Sequence, residues 1–152
     1  MNLIALLNDA KTQPERREAI LALERAALAL PPGSLETAPL RHHFAPGQYA
    51  REIFLKANTL TGGKLHRHAH VNILSMGRCL VYTEFGTELL VAPETFISQP
   101  GTKRVVLPLE DIVWTTVHAN PTDSRDIAWI EQQIIAPSYE AIGMVELPRV
   151  TA

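Results

Sequence analysis

Two kinds of periodicity divide the chain. Over the first thirty residues the apolar positions recur at helical spacing. Asn2 to Asp9 is a short apolar segment, and Thr12-Gln13-Pro14-Glu15 then offers a capping box with proline in the first turn. Ile20, Leu23, Ala27 and Leu30 continue a stripe along a second, longer helix, while Glu15, Arg16, Arg17, Glu18, Glu24 and Arg25 predict a solvated face. Pro31-Pro32-Gly33 stops this helix. An amphipathic arm must bury its stripe, either on the body of its own chain or on a second copy, so a homo-oligomer through the N-terminal helices is one expectation and self-packing the other.

Ser34 to Gln48 reads as a loop rich in proline and small residues, carrying His42 and His43 ahead of Pro46-Gly47. From Tyr49 the pattern changes to short strand-like runs separated by turn residues, the signature of a sandwich or small barrel. The runs are Tyr49 to Ala57, Lys64 to Leu74, Arg78 to Glu84, Glu88 to Val91, Thr95 to Ser98, Arg104 to Leu107 and Ile112 to His118. Prolines 93, 100 and 108 fall between them, where a missing backbone donor does little harm. Thr122 or Asp123 can then cap a helix from Ser124 to Ile135, with Ile127, Ile130 and Ile134, and Trp129 beside them, as its apolar face. The tail from Ser138 carries Met144, Val145 and Leu147, which can add an edge strand or pack on a partner. The expected organisation is a helical arm over 1–38, a β-barrel over 39–121, and a helix with its tail over 122–152.

One run carries unusual chemistry. Gly62-Gly63-Lys64-Leu65-His66-Arg67-His68-Ala69-His70 places histidine at every second position, and half of the chain's six histidines lie there. In a strand all three would project to one face, about 6–7 Å apart, as a candidate metal or anion pocket or else a solvated outer face. A straight strand spreads them over about 13 Å, so all three cannot reach one ion at the usual 2.0–2.1 Å without a bulge or strong twist. Two of them with His118 make the more workable trio, and His66, His70 and His118 are the candidate metal ligands.

Composition narrows the classes. With 152 residues, 46% of them apolar, the chain can fill one real core. A net charge of −2 argues against non-specific nucleic-acid binding and against a polybasic membrane anchor. The single cysteine, Cys79, excludes an internal disulfide and a cysteine zinc cluster, and reads as a buried small hydrophobe. With no signal peptide and no membrane-length apolar run, a soluble, cytoplasmic protein is expected. Neither a Gly-x-Ser-x-Gly elbow nor a phosphate-binding glycine loop ahead of a helix is present.

Gly62, a strand with His-x-His, Gly77 opening the next strand, and Pro100-Gly101 before another together resemble the two motifs of the cupin superfamily. The resemblance covers roughly Tyr49 to Asn120. It implies a mainly β, single jelly-roll barrel, here with an N-terminal helical arm and a C-terminal helix, and a divalent metal such as zinc, iron, manganese or nickel. More closely, the string from Tyr49-Ala50-Arg51-Glu52 through Pro100-Gly101-Thr102-Lys103-Arg104 to Val113-Trp114-Thr115-Thr116-Val117-His118 looks like small cupin-like proteins of tailed bacteriophages. Such a protein would work in the cytoplasm of the bacterial host. Two departures stand out: His70 falls where the family's metal-binding glutamate is expected, and Arg104 where its second-motif histidine is expected.

Arg104 and Lys103 invite an anion, because guanidinium near imidazole lowers the imidazole pKa and can hold a carboxylate or phosphate bidentately. Being adjacent, the two should point to opposite faces. Glu84 is either a carboxylate partner or an ordinary surface residue. The candidate ligand-binding set is therefore His66, His68, His70, Lys103, Arg104 and His118. It supports a cupin that holds a small anionic or nucleotide-like molecule, as a phage protein sequestering a host signal would. The alternatives are a metal-dependent oxygenase, isomerase or hydrolase, and a structural or assembly protein.

Overall fold

The computed structural model describes residues 2–31 and 38–137. The tail with Met144, Val145 and Leu147 lies outside the described residues. Helices α1 (Leu3–Asp9) and α2 (Gln13–Leu28) open the chain. Asn2 caps α1 by accepting from the Ala5 N–H, and the Thr12–Glu15 capping box starts α2 with both reciprocal bonds made. Nine strands follow: β1 (Leu40–Ala45), β2 (Gln48–Leu55), β3 (Thr61–Gly62), β4 (His70–Met76), β5 (Arg78–Thr83), β6 (Gly86–Val91), β7 (Glu94–Ser98), β8 (Arg104–Pro108) and β9 (Ile112–Ala119); helix α3 spans Ile127–Ile134.

The strands form two antiparallel sheets, β1-β2-β9-β4-β7 and β3-β8-β5-β6. The core between them consists of Leu55, Leu74, Cys79, Val81, Val106, Ile112 and Trp114, each at an inward position of an alternating strand. Burial pushes the Cys79 thiol up to about 11, so it stays protonated and serves as a small apolar side chain. The opposite parity of the second sheet, Tyr82 and Val105 with Leu80 and Leu107, faces outward and is covered by Leu7, Ala19, Ile20 and Leu23 of the arm. The arm's stripe is thus buried on its own barrel, although Leu28 and Leu30 beyond the contact are exposed. No helix among the described residues is long and apolar enough to cross a membrane.

Four expectations need correction. Residues 40–45, read as loop, form β1: they contain no β-branched residue, and the strand exists because β2 pairs with it across the Pro46–Gly47 turn, where Gly47 has φ +72°. Helix α3 begins later than expected, capped by Asp126, because the Asp123 carboxylate accepts from the Gly47 N–H at 2.7 Å and ties down the hairpin instead. The predicted strand from Lys64 begins only at His70. Arg17 and Glu84, read as surface residues, are buried together between α2 and the sheet at 2.6 Å.

Gly77 joins β4 to β5 with φ +82°, and a Cβ there would lie 2.3 Å from the Asp111 carbonyl oxygen. Both the left-handed backbone and the close approach demand glycine. Gly77→Ala is expected to lower unfolding free energy by at least about 1–3 kcal/mol, read as a shift in the urea midpoint. A change within about 0.5 kcal/mol, the usual range of surface substitutions, would contradict this packing.

Candidate metal centre

Strand register builds the first half of the site. Pairing of Val71 with Val117 and of Asn72 with Thr116 sets His70 opposite His118 at the same end of the barrel, and both side chains are buried. His66 arrives by a different route. After β3 the chain bends at Arg67 and His68 instead of continuing as a strand. That bend is fastened by the end of α3: the Arg67 N–H donates to the Ile134 carbonyl at 2.8 Å, Arg67 Nε donates to the Ile135 carbonyl at 3.0 Å, and the Ala136 N–H donates to the Leu65 carbonyl at 2.8 Å. The Gly101 N–H donates to the His66 carbonyl at 3.0 Å from the other side.

The bend brings three rings together. Ring centroids of His66 and His70 stand 4.2 Å apart, those of His66 and His118 5.2 Å, and those of His70 and His118 4.9 Å. One nitrogen from each lies within 4.8 Å of the others. Nitrogens sharing an ion at about 2.0–2.1 Å lie at most about 4.2 Å apart, so modest ring movements close the set. His70 Nδ1 lies 3.3 Å from the His68 carbonyl oxygen, and donation there leaves Nε2 as the acceptor. Both His70 Nε2 and His118 Nε2 are buried with no hydrogen-bond partner. Unpaired buried acceptors are costly, and a cation between them would satisfy both.

Burial, then the neighbouring imidazoles of His70 and His118 and the guanidinium of Arg104, hold His66 down to about 3. Burial and the His70 ring hold His118 to about 4, and His70 is lowered chiefly by burial. The three rings are therefore neutral at pH 7, the form that ligates metal. The sign of the resulting pH dependence follows. The unfolded chain, with histidines near 6.5, takes up protons before the native state does, so the metal-free protein loses stability as pH falls below about 6.5 toward 4. Urea midpoints measured between pH 7.5 and 4.5 should show this acid lability, and it should shrink in a His66→Gln, His118→Gln double variant.

The remaining candidates are distributed as parity dictates. His68 is exposed at the bend and is not one of the three converging histidines. His42, on β1, stacks on Tyr49 and hydrogen-bonds to its hydroxyl at 2.7 Å, while His43 is exposed beside Glu52. Lys103 faces outward and pairs with Glu24 of α2 at 2.5 Å, whereas Arg104 turns into the barrel. There Arg104 donates to Ser98 Oγ and to Asn72 Oδ1 at 3.5 Å, beside the edge-to-face pair of Phe96 and Trp114. Asn72, fully buried, also accepts from Trp114 Nε1 at 3.0 Å and donates to Ser98 Oγ at 2.7 Å, which fixes the guanidinium.

A cavity of ≈ 210 Å³ adjoins the rings, lined by His66, Arg104, Arg51, Thr116 and the apolar side chains of Ile53, Leu55, Val106 and Trp114. Arg51 and Asn72 are the site residues that sequence reading missed. The available signal was parity: Arg51 shares the inward alternation of Tyr49, Ile53 and Leu55, and Asn72 that of His70 and Leu74.

No protein-family model and no curated protein matches the sequence. Solved structures do. A cupin 2 domain-containing protein from Halorhodospira halophila superposes with a TM-score of 0.50 at 15% identity, over 72% of this chain and 78% of that one. Salicylate 1,2-dioxygenase from Pseudaminobacter salicylatoxidans gives 0.53 at 14% identity, over 76% and 33%. The DMSP lyase from Ruegeria pomeroyi gives 0.52 at 8% identity, over 63% and 53%. The fold is that of the cupins. This cupin barrel spans about a third of the dioxygenase chain and about half of the lyase chain. Nothing in these comparisons bears on the phage resemblance.

Proposed function

We propose that this chain is a metal-binding cupin in which His66, His70 and His118 hold one divalent cation and leave coordination positions open for a small molecule. The observation that carries the reading is the convergence of three neutral imidazoles, two of them with a buried nitrogen that meets no partner. A divalent ion bound there supplies Lewis acidity toward an oxygen ligand. The chain's own part is to present lone pairs, to keep water away with Trp114 and Ile53, and to draw anions with Arg51 and Arg104. Zinc, iron and nickel suit imidazole, and manganese, the fourth candidate, prefers oxygen donors. Two of the similar structures are named for small organic compounds, salicylate and DMSP, which supports a small-molecule ligand.

Holding the ligand without transforming it is favoured over isomerase or hydrolase chemistry by one feature: among the described residues no aspartate or glutamate lines the cavity. With the imidazoles committed to metal, no cavity side chain is left that readily accepts a proton at neutral pH. In a phage protein such a site would keep a small host molecule out of circulation. Elemental analysis with native mass spectrometry of untagged protein tests the reading. One divalent ion per chain is expected, and protein that stays metal-free after purification and after incubation with each of the four metals would overturn it.

A further inference from the structure

The cavity beside His66 takes in two arginines that no close ion pair among the described residues neutralises, Glu88 acting on Arg104 only from a distance. Arg104 enters it from β8 and Arg51 from β2, that is, from opposite sheets. Gly63 makes room for the first: its N–H donates to the Arg104 carbonyl at 2.8 Å, and a Cβ at Gly63 would stand 3.2 Å from Arg104 Cγ. The Arg104 guanidinium is held only by the neutral oxygens of Asn72 and Ser98, and its Nε is buried with no acceptor. Arg51 pairs with no carboxylate among the described residues, and neither does Arg104. By contrast, the two neighbouring lysines are already taken up, Lys64 at the cavity by Glu131 and the outward-facing Lys103 by Glu24.

An anion is the missing partner, and the walls say what kind. Ile53, Leu55, Val106 and Trp114 give the cavity an apolar side that suits a hydrocarbon body. Its volume of ≈ 210 Å³ falls below the roughly 300–1,000 Å³ of sites for drug-sized ligands, which disfavours a nucleotide. Burial lowers Arg104 to about 10, so it is still charged at neutral pH and an anion would raise it again.

We propose that this cavity is a carboxylate site: Arg104 and Arg51 grip the head of a small organic acid from two sides, and its apolar body lies against Ile53, Val106 and Trp114. Guanidinium forks match carboxylate geometry, and the Asn72 and Ser98 oxygens, with the adjoining rings of Phe96 and Trp114, keep the Arg104 fork in place before the ligand arrives. The site deepens the small-molecule reading above but does not depend on the metal.

Titration calorimetry on chelator-treated and zinc-loaded protein tests it, with benzoate and butyrate as probes, benzamide and butyramide as their uncharged counterparts, and inorganic phosphate as the anion without an apolar body. The carboxylates should bind at least tenfold more tightly than the amides and than phosphate. Arg104→Met and Arg51→Met should each weaken carboxylate binding at least tenfold while zinc stoichiometry stays unchanged. The Arg51 side chain makes no hydrogen bond within the described fold, so its variant remains informative if Arg104→Met fails to fold. Equal binding of acids and amides, a preference for phosphate, an Arg51→Met variant that binds like the parent, or no carboxylate binding in either form would each overturn the proposal. Carboxylate binding without zinc would count against the metal reading alone, and zinc without carboxylate binding against this one alone.

Discussion

His118→Ala should abolish stoichiometric metal binding. His118 faces both other rings, at centroid distances of 4.9 and 5.2 Å, so its removal leaves two imidazoles on one side of the site. Loss of a supporting residue near a metal typically costs about 10–100-fold in affinity, and loss of a ligand should exceed that. Elemental analysis after dialysis would show less than a tenth of the parent's metal content, a threshold of roughly one log unit set from that range. Stability separates this from simple unfolding. In the metal-free parent His118 Nε2 is a buried polar atom without a partner, a state that costs about 1–3 kcal/mol. His118→Leu, which keeps the volume and removes the orphan, should therefore leave the metal-free urea midpoint unchanged or raised. A loss of about 2 kcal/mol or more would mean that the ring serves packing and not ligation.

The largest stability effect is expected far from this centre. Glu84→Gln should cost about 3–5 kcal/mol, the usual result of removing one partner from a buried ion pair. Arg17 and Glu84 side chains are only 5% and 3% exposed, and Gln13 Nε2 adds a third donor to the same carboxylate at 2.8 Å. Neutralising the carboxylate removes the counter-charge that Glu84 gives the guanidinium between α2 and the sheet. Replacing both partners with apolar residues, as in Arg17→Met with Glu84→Leu, should recover most of the loss, because the desolvation cost disappears with the charges. Urea unfolding of the two variants gives the comparison. If Glu84→Gln shifts stability by less than about 1 kcal/mol, the pair behaves as an exposed one and the docking of the arm is wrong.

What the sequence made legible was the local part of the fold. The Thr12–Glu15 capping box and the strand-like runs after Tyr49 are written in short-range chemistry, and these elements form. The opposed directions of Lys103 and Arg104 also follow from strand parity alone. Long-range causes stayed hidden. The alternation of His66, His68 and His70 promised one straight face, but the bend that turns His68 away is imposed by carbonyls of Ile134 and Ile135, far along the chain. Glu84 looked solvated because its partner lies 67 residues earlier on a helix whose charged positions all looked alike. Strand β1 has weak propensity and takes its conformation from β2.

The fastening of the bend by the end of α3 sets an order of events. None of the three candidate ligands lies beyond residue 118, yet the loop carrying the first of them takes most of its fastening from atoms of residues 134–136. During synthesis the barrel strands can pair while that loop is still loose. The centre is finished last, when the C-terminal helix docks, and a chain truncated after Asn120 would retain every ligand and still lack the means to gather them.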